Sequence, residues 1–145
     1  AFLQNMSGKP RRTRRTVAEG KITMPITKSN EDYLEAILMC ERDGLAKSVD
    51  IASALGISKA AVSMAMTELA AKGLVVKAAY GKISLTAKGR EIASSTLGKH
   101  NLIKRFLLGI GATEENAEEE CCKIEHILSD DTLRCLASFC KKNDF

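Results

Sequence analysis

Tryptophan is absent from the 145 residues, and four Phe and two Tyr leave the chain only 4% aromatic. That shortage excludes a platform of stacked rings for single-stranded nucleic acid. The core must come from Leu, Ile, Val, Ala and Met, which favours helices packed through aliphatic side chains. No apolar run approaches the roughly 20 residues of a membrane span, and the N-terminus lacks the apolar stretch of a secretory signal. A cytoplasmic location without a membrane partner is the expectation. The cysteines, Cys40, Cys121, Cys122, Cys135 and Cys140, are odd in number and unevenly spaced. They do not make a secreted disulfide framework, so reduced thiols, free to pack or to ligate, are expected.

What is present is an ordinary globular composition, 45% hydrophobic, with room for one domain or two small units sharing a core. The net charge of +4 is unevenly spread. Residues 1–29 carry seven Lys or Arg against Glu19, with "RRTRR" at 11–15, and residues 43–90 carry seven basic against three acidic side chains. Residues 30–42 and 91–145 are each net acidic by three. A polyanion suits the basic segments and cations the acidic ones. The first 28 residues hold both prolines, Pro10 and Pro25, and show no helical or strand period. They read as a basic arm, first as a solvated tail and second as a DNA-contacting strap.

A helix is expected to start near Ser29, where Ser29 and Asp32 form a capping pattern, and to end before Gly44. Asp32 and Glu35 lie three apart in its opening turns and share a side; taken alone they are good helix-start residues. Next, Ser48 is expected to cap a helix through Leu55, Gly56 to turn the chain, and Ser58 to cap a second helix that stops at Gly73. Two helices joined by a short Gly-containing turn make a helix-turn-helix. Ile51, Ala52, Leu55, Ile57, Val62, Ala65, Met66 and Leu69 would form its core. Lys59, Ala60, Ser63, Met64 and Thr67 would face outward, a small and polar set suited to close approach in a major groove. "LVVKAAYGKISLT" then reads as two strands turning at Tyr80 and Gly81, a wing whose Lys77 and Lys82 can grip phosphates. An αα-hairpin of some other helical domain explains the helix spacing but neither the wing nor the local charge.

After Gly89 an apolar stripe through Ile92, Leu97, Leu102, Ile103, Phe106, Leu107 and Ile110 predicts a helix with more apolar face than one module covers, which suggests a dimer surface. A helix beginning at Thr113 and stopping near Ser129, and another over "DDTLRCLASFCKK", complete the chain. Within the first of these, "CCKIEH" places Cys122, Glu125 and His126 at i, i+3 and i+4, converging on one side, with Cys121 and Lys123 pointing elsewhere. Such a trio arises often by chance. His100 on the preceding helix and the Asp32/Glu35 pair add three further donors from separate elements.

From about Ser29 to Phe139 the chain resembles the diphtheria-toxin-repressor family of metal-activated transcriptional regulators. The matching stretches are "EDYLEAI", "VDIASALGISKAAVSMAMTELAAKGLV", "LTAKGREIA", "KHNLIKRFL" and "CCKIEHILSDD". The resemblance implies a mainly α fold: a winged helix-turn-helix DNA-binding domain over 29–90, and a helical metal-binding and dimerisation domain over 91–145. It further implies the compact architecture without an SH3-like domain. By motif position the implied metal ligands are Asp32, Glu35, His100, Cys122, Glu125 and His126. The implied partners are double-stranded operator DNA and a second copy of the chain; the DNA-facing residues are Ser58, Lys59, Ala60, Ser63, Met64, Thr67, Lys77, Tyr80 and Lys82. Asp32 and Glu35 are similar to the manganese-sensing branch and Cys122 to the iron-sensing branch. Mn2+ or Fe2+ is therefore the expected cofactor, with Zn2+ or Co2+ competent in vitro. Lys104 stands where the family usually has a carboxylate; an ammonium cannot ligate. The expected function is repression of metal-uptake genes by the metal-loaded dimer, without enzymatic activity. Two other readings stay open at this level: a thiol-based redox regulator using the vicinal Cys121 and Cys122, and a metallohydrolase, for which neither an H-E-x-x-H pattern nor a catalytic Gly-rich loop is present.

Overall fold

The computed structural model describes residues 24–145. "RRTRR" and most of the basic arm expected over 1–28 lie outside the described residues. The first helix, α1, spans Lys28–Cys40 and begins with a reciprocal cap. Thr27 Oγ accepts from the Asn30 amide at 3.3 Å, and Asn30 Oδ1 accepts from the Thr27 amide at 3.2 Å. The expected cap at Ser29 is thus displaced by two residues. Asn30 can reciprocate with Thr27, whereas Asp32, the partner Ser29 would need, is engaged elsewhere.

Strand β1 (Ala46–Lys47) leads into α2 (Ser48–Leu55), and Gly56, at φ 65°, turns the chain into α3 (Lys59–Ala71). The two helices bend by 109° across this break, within the range of a helix-turn-helix. Ser58 caps α3 as expected, accepting from the Ala61 amide at 3.1 Å. Ser48 does not cap α2: it is the first helical residue, and its hydroxyl donates to the Gly81 carbonyl at 2.9 Å, fastening the helix to the wing.

The wing is β2 (Val75–Lys77) and β3 (Lys82–Leu85), antiparallel, with Val76 opposite Ser84. Strand β1 joins the other edge of β3, Ala46 opposite Ile83, giving the order β1-β3-β2. β1 is too short to show any alternation, so the sequence does not reveal it.

Helix α4 runs unbroken over Ala87–Gly109, so the expected division at residues 90 and 91 falls inside it. Thr86 starts α4, accepting from the Gly89 amide and donating to the Gly73 carbonyl at 2.8 Å. Gly89 is required there, because a Cβ would meet the Leu74 carbonyl oxygen at 1.9 Å. Helices α5 (Glu114–Ile124) and α6 (Asp130–Lys142) follow, capped by Thr113 and Ser129.

Two cores result. Leu34, Ile37, Ile51, Val62, Met66, Leu69, Leu74, Ile83 and Ala93 pack one, and Ile103, Leu107, Ala117, Cys121 and Leu133 the other. α4 supplies Ala93 to the first and Ile103 and Leu107 to the second, with α1 packed along it. No single helix among the described residues is long and apolar enough to cross a membrane.

Candidate metal centre

The acidic start of α1, the middle of α4 and the end of α5 meet between the two cores. α1 brings Glu31, Asp32 and Glu35; α4 brings His100; α5 brings Glu118, Cys121 and Cys122. The helix was expected to continue to Ser129, but α5 ends at Ile124 with Glu125 as its cap. His126, just beyond that cap, meets the start of α1. Its Nδ1 lies 2.8 Å from Glu31 Oε2 and its Nε2 lies 2.8 Å from Asp32 Oδ1.

Ligand-type atoms gather in three overlapping trios rather than one group of six. Asp32, Glu125 and His126 form the first, Glu35, His100 and Glu125 the second, and His100, Cys121 and Cys122 the third, each with donor atoms within 4.8 Å of one another. Glu125 joins the first two: Oε1 lies 3.2 Å from His126 Nε2, and Oε2 lies 3.2 Å from His100 Nδ1. Glu35 Oε1 lies 3.8 Å from that same His100 nitrogen. All six expected ligands are thus in the cluster, but Cys122 is grouped with His100 and Cys121, not with Glu125 and His126. Cys121, expected to point away, instead faces His100, with Sγ 3.4 Å from Nε2 and 3.5 Å from Nδ1. The signal for Cys121 was its spacing of four from Ala117 on the buried face of α5. Glu31, adjacent to Asp32, had no signal, because its partner His126 is 95 residues away.

Electrostatics mark the same place. Burial, reinforced by the Glu35, Asp32 and Glu31 carboxylates, raises the Glu125 carboxyl to about 8. Burial also raises Glu35, against the lowering effect of His100. Desolvation pushes the Cys121 thiol up to about 12 and raises Cys122 as well. Lys104 does not face the centre as an unpaired cation. Its ammonium bonds Glu114 at 2.6 Å and Glu118 at 2.7 Å, which raises Lys104 and lowers Glu118.

The donor set fits a divalent cation. Glu125 is 3% exposed, and its Oε2 has no hydrogen-bond partner: the nearby His100 nitrogen is close enough but not aligned. A buried acceptor without a donor is costly, and a cation between Glu125, His100 and the α1 carboxylates would satisfy it. Two carboxylates and an imidazole are a donor set suited to Mn2+ or Fe2+. The cluster opens onto a cavity of about 750 Å3 lined by Asp32, Glu35, His100, Cys122 and Glu125, and also by apolar Met39 and Leu55.

Ser58, Lys59, Ala60, Ser63, Met64 and Thr67 are exposed along and before α3, and Lys77, Tyr80 and Lys82 are exposed on the wing. Lys77 donates to Thr67 Oγ at 3.1 Å, so wing and helix form one surface. Tyr80, 98% exposed, holds a left-handed backbone at φ 59° on the wing tip.

Comparison with known proteins agrees with this geometry. Residues 25–83 match the family described as iron dependent repressor, N-terminal DNA binding domain, and residues 86–145 match iron dependent repressor, metal binding and dimerisation domain. An uncharacterised HTH-type transcriptional regulator of Methanocaldococcus jannaschii is 40% identical over 120 residues, 81% of this chain and 96% of its own. The transcriptional regulator MntR of Escherichia coli O157:H7 is 32% identical over 114 residues, 78% of this chain and 74% of that one. Among solved structures, the manganese regulator SloR has a TM-score of 0.67 at 32% identity, covering 81% of this chain and 55% of its own. The chain thus spans little more than half the length of that relative. With both halves matched and the donor cluster at their junction, the chain belongs to the diphtheria-toxin-repressor family of metal-dependent transcriptional regulators.

Proposed function

We propose that the chain senses Mn2+ or Fe2+ and, as a metal-loaded homodimer, binds operator DNA to repress metal-uptake genes. The observation that carries this reading is the buried Glu125 carboxylate, shared by two donor trios that each include an α1 side chain. Asp32 and Glu35 belong to the helix that packs the DNA-binding core, whereas His100, Cys122, Glu125 and His126 belong to α4 and the end of α5. When bound, the cation supplies positive charge and ligand bonds common to both sides.

Without it, Glu31, Asp32, Glu35 and Glu125 face one another, and the proton held on Glu125 relieves part of their repulsion. His126 then bridges Glu31 and Asp32 and keeps the start of α1 near α5. With Asp32 and Glu35 committed to ligation, α1 takes one position against α4. The recognition helix α3 packs on the same core as α1, so its spacing from a partner's recognition helix is fixed too. Ser58, Lys59, Ala60, Ser63, Met64 and Thr67 would enter the major groove, while Lys77, Tyr80 and Lys82 would meet the backbone.

The rival reading through vicinal thiol oxidation is disfavoured, because Cys121 is fully buried and its thiol is raised to about 12, unlike a reactive thiolate. Operator binding titrated with Mn2+, Fe2+, Co2+ and Zn2+ under anaerobic reducing conditions tests the proposal. Stimulation by Mn2+ or Fe2+ that is lost in Glu125→Gln and His126→Ala supports it; affinity indifferent to chelator refutes it.

A further inference from the structure

The third trio, His100, Cys121 and Cys122, has donors of a different kind from the other two. Cys121 Sγ lies 3.5 Å and Cys122 Sγ 3.6 Å from the same ring nitrogen, Nδ1, of His100. Two ligands held at typical zinc–sulfur and zinc–nitrogen distances on a tetrahedral centre stand about 3.6 Å apart. Both nitrogen–sulfur spacings are therefore those of a shared coordination sphere, with all three donor atoms within 4.8 Å of one another, and two thiolates with an imidazole select thiophilic ions. Two of the three, His100 and Cys122, line the cavity together with Glu118. Glu118 Oε1 is 3.4 Å from His100 Nε2, but Lys104 holds the other oxygen of that carboxylate.

We propose that His100, Cys121 and Cys122 form a sulfur-rich site, overlapping the sensing centre at His100 and Cys122, that captures thiophilic cations such as Cd2+ and, by occupying His100, opposes activation by the oxygen-preferring metal. The site is contained within α4 and α5; it has no ligand from α1. A cation there leaves Asp32 and Glu35 untied, while it takes the imidazole that the Glu35–His100–Glu125 trio needs. Ions are thus sorted by chemistry into a set of donors that links the two cores and a set that does not. The opposing effect rests on the function proposed above, but the existence of the sulfur site does not. The competing role for Cys121 is that of an apolar residue in the second core.

The experiment uses the full chain under anaerobic conditions with Cd2+ alone as probe, following the ultraviolet cadmium–thiolate absorption and the 113Cd NMR shift. Wild type should bind one Cd2+ with two sulfurs, and Cys121→Ser should lose about half the absorption and at least about tenfold in Cd2+ affinity. One equivalent of Cd2+ should suppress Mn2+-stimulated DNA binding in wild type and suppress it at least about tenfold less in Cys121→Ser, each compared with the same protein without Cd2+. Unchanged Cd2+ absorption and affinity in Cys121→Ser would overturn the site even if Mn2+ stimulates DNA binding. A two-sulfur Cd2+ site in a protein whose DNA binding ignores Mn2+ would instead overturn the function and leave the site standing. Should Cys121→Ser fail to fold, the 113Cd shift of wild type decides alone: two sulfurs support the site, one or none refutes it.

Discussion

Glu125 combines burial, a carboxyl raised to about 8 and an oxygen with no hydrogen-bond donor. Its folded value lies above the ordinary 4.5, so its contribution to stability of the metal-free protein is fully present below that value and is lost as pH rises through about 8. Stability of the metal-free wild type should therefore fall with pH across this window, and Glu125→Gln should flatten the fall, measured by denaturant melts. Ligation needs the carboxylate, so Mn2+ binding below pH of about 8 should release a proton that Glu125→Gln does not release. Calorimetry in buffers of different ionisation heat measures it. The identity of these residues was legible in the sequence, because carboxylate, thiol and imidazole stand out on helical spacing. Their grouping was not. It depends on pairings between distant elements, His126 with Glu31 and Asp32 and Cys122 with His100, which spacing along one helix does not encode.

Among the elements, the helix-turn-helix and wing were legible through local rules: the Gly56 turn, the Ser58 cap and the turn at Tyr80 and Gly81. What escaped depends on distant partners. Ser48 has the residue type of a cap, yet its hydroxyl bonds the Gly81 carbonyl 33 residues away. Gly89 sits inside α4, where sequence alone assigns it a mild helix penalty; the Leu74 carbonyl pressed against it gives it a packing role. Gly89→Ala should cost about 1–3 kcal/mol by overpacking, where helix propensity alone predicts a gain of about 1 kcal/mol, read from a shift in urea midpoint. On the wing, Lys82→Ala should weaken DNA binding across sequences and lower the salt slope by about one, leaving metal affinity unchanged.

Across the whole molecule, charged and polar ties join the modules. Arg90 of α4 grips Glu41 beyond α1 with two bonds at 2.6 and 2.8 Å, and lowers that carboxyl. Lys72, just beyond α3, bonds Glu68, Asn30 and the Pro25 carbonyl, linking the start of α1 to the end of α3. Chelation should therefore remove metal-stimulated operator affinity, a coupling of about 1–3 kcal/mol, without loss of helical circular dichroism. One further result comes from the unbroken α4. His100 lies thirteen residues past its first residue, Ala87, a lever arm of about 20 Å at the α-helical rise. Swinging that arm by about 10° moves its far end by roughly 3.4 Å, one base-pair step. Slack of about 10° at the ligands would thereby be geared up into a missed register on the double helix.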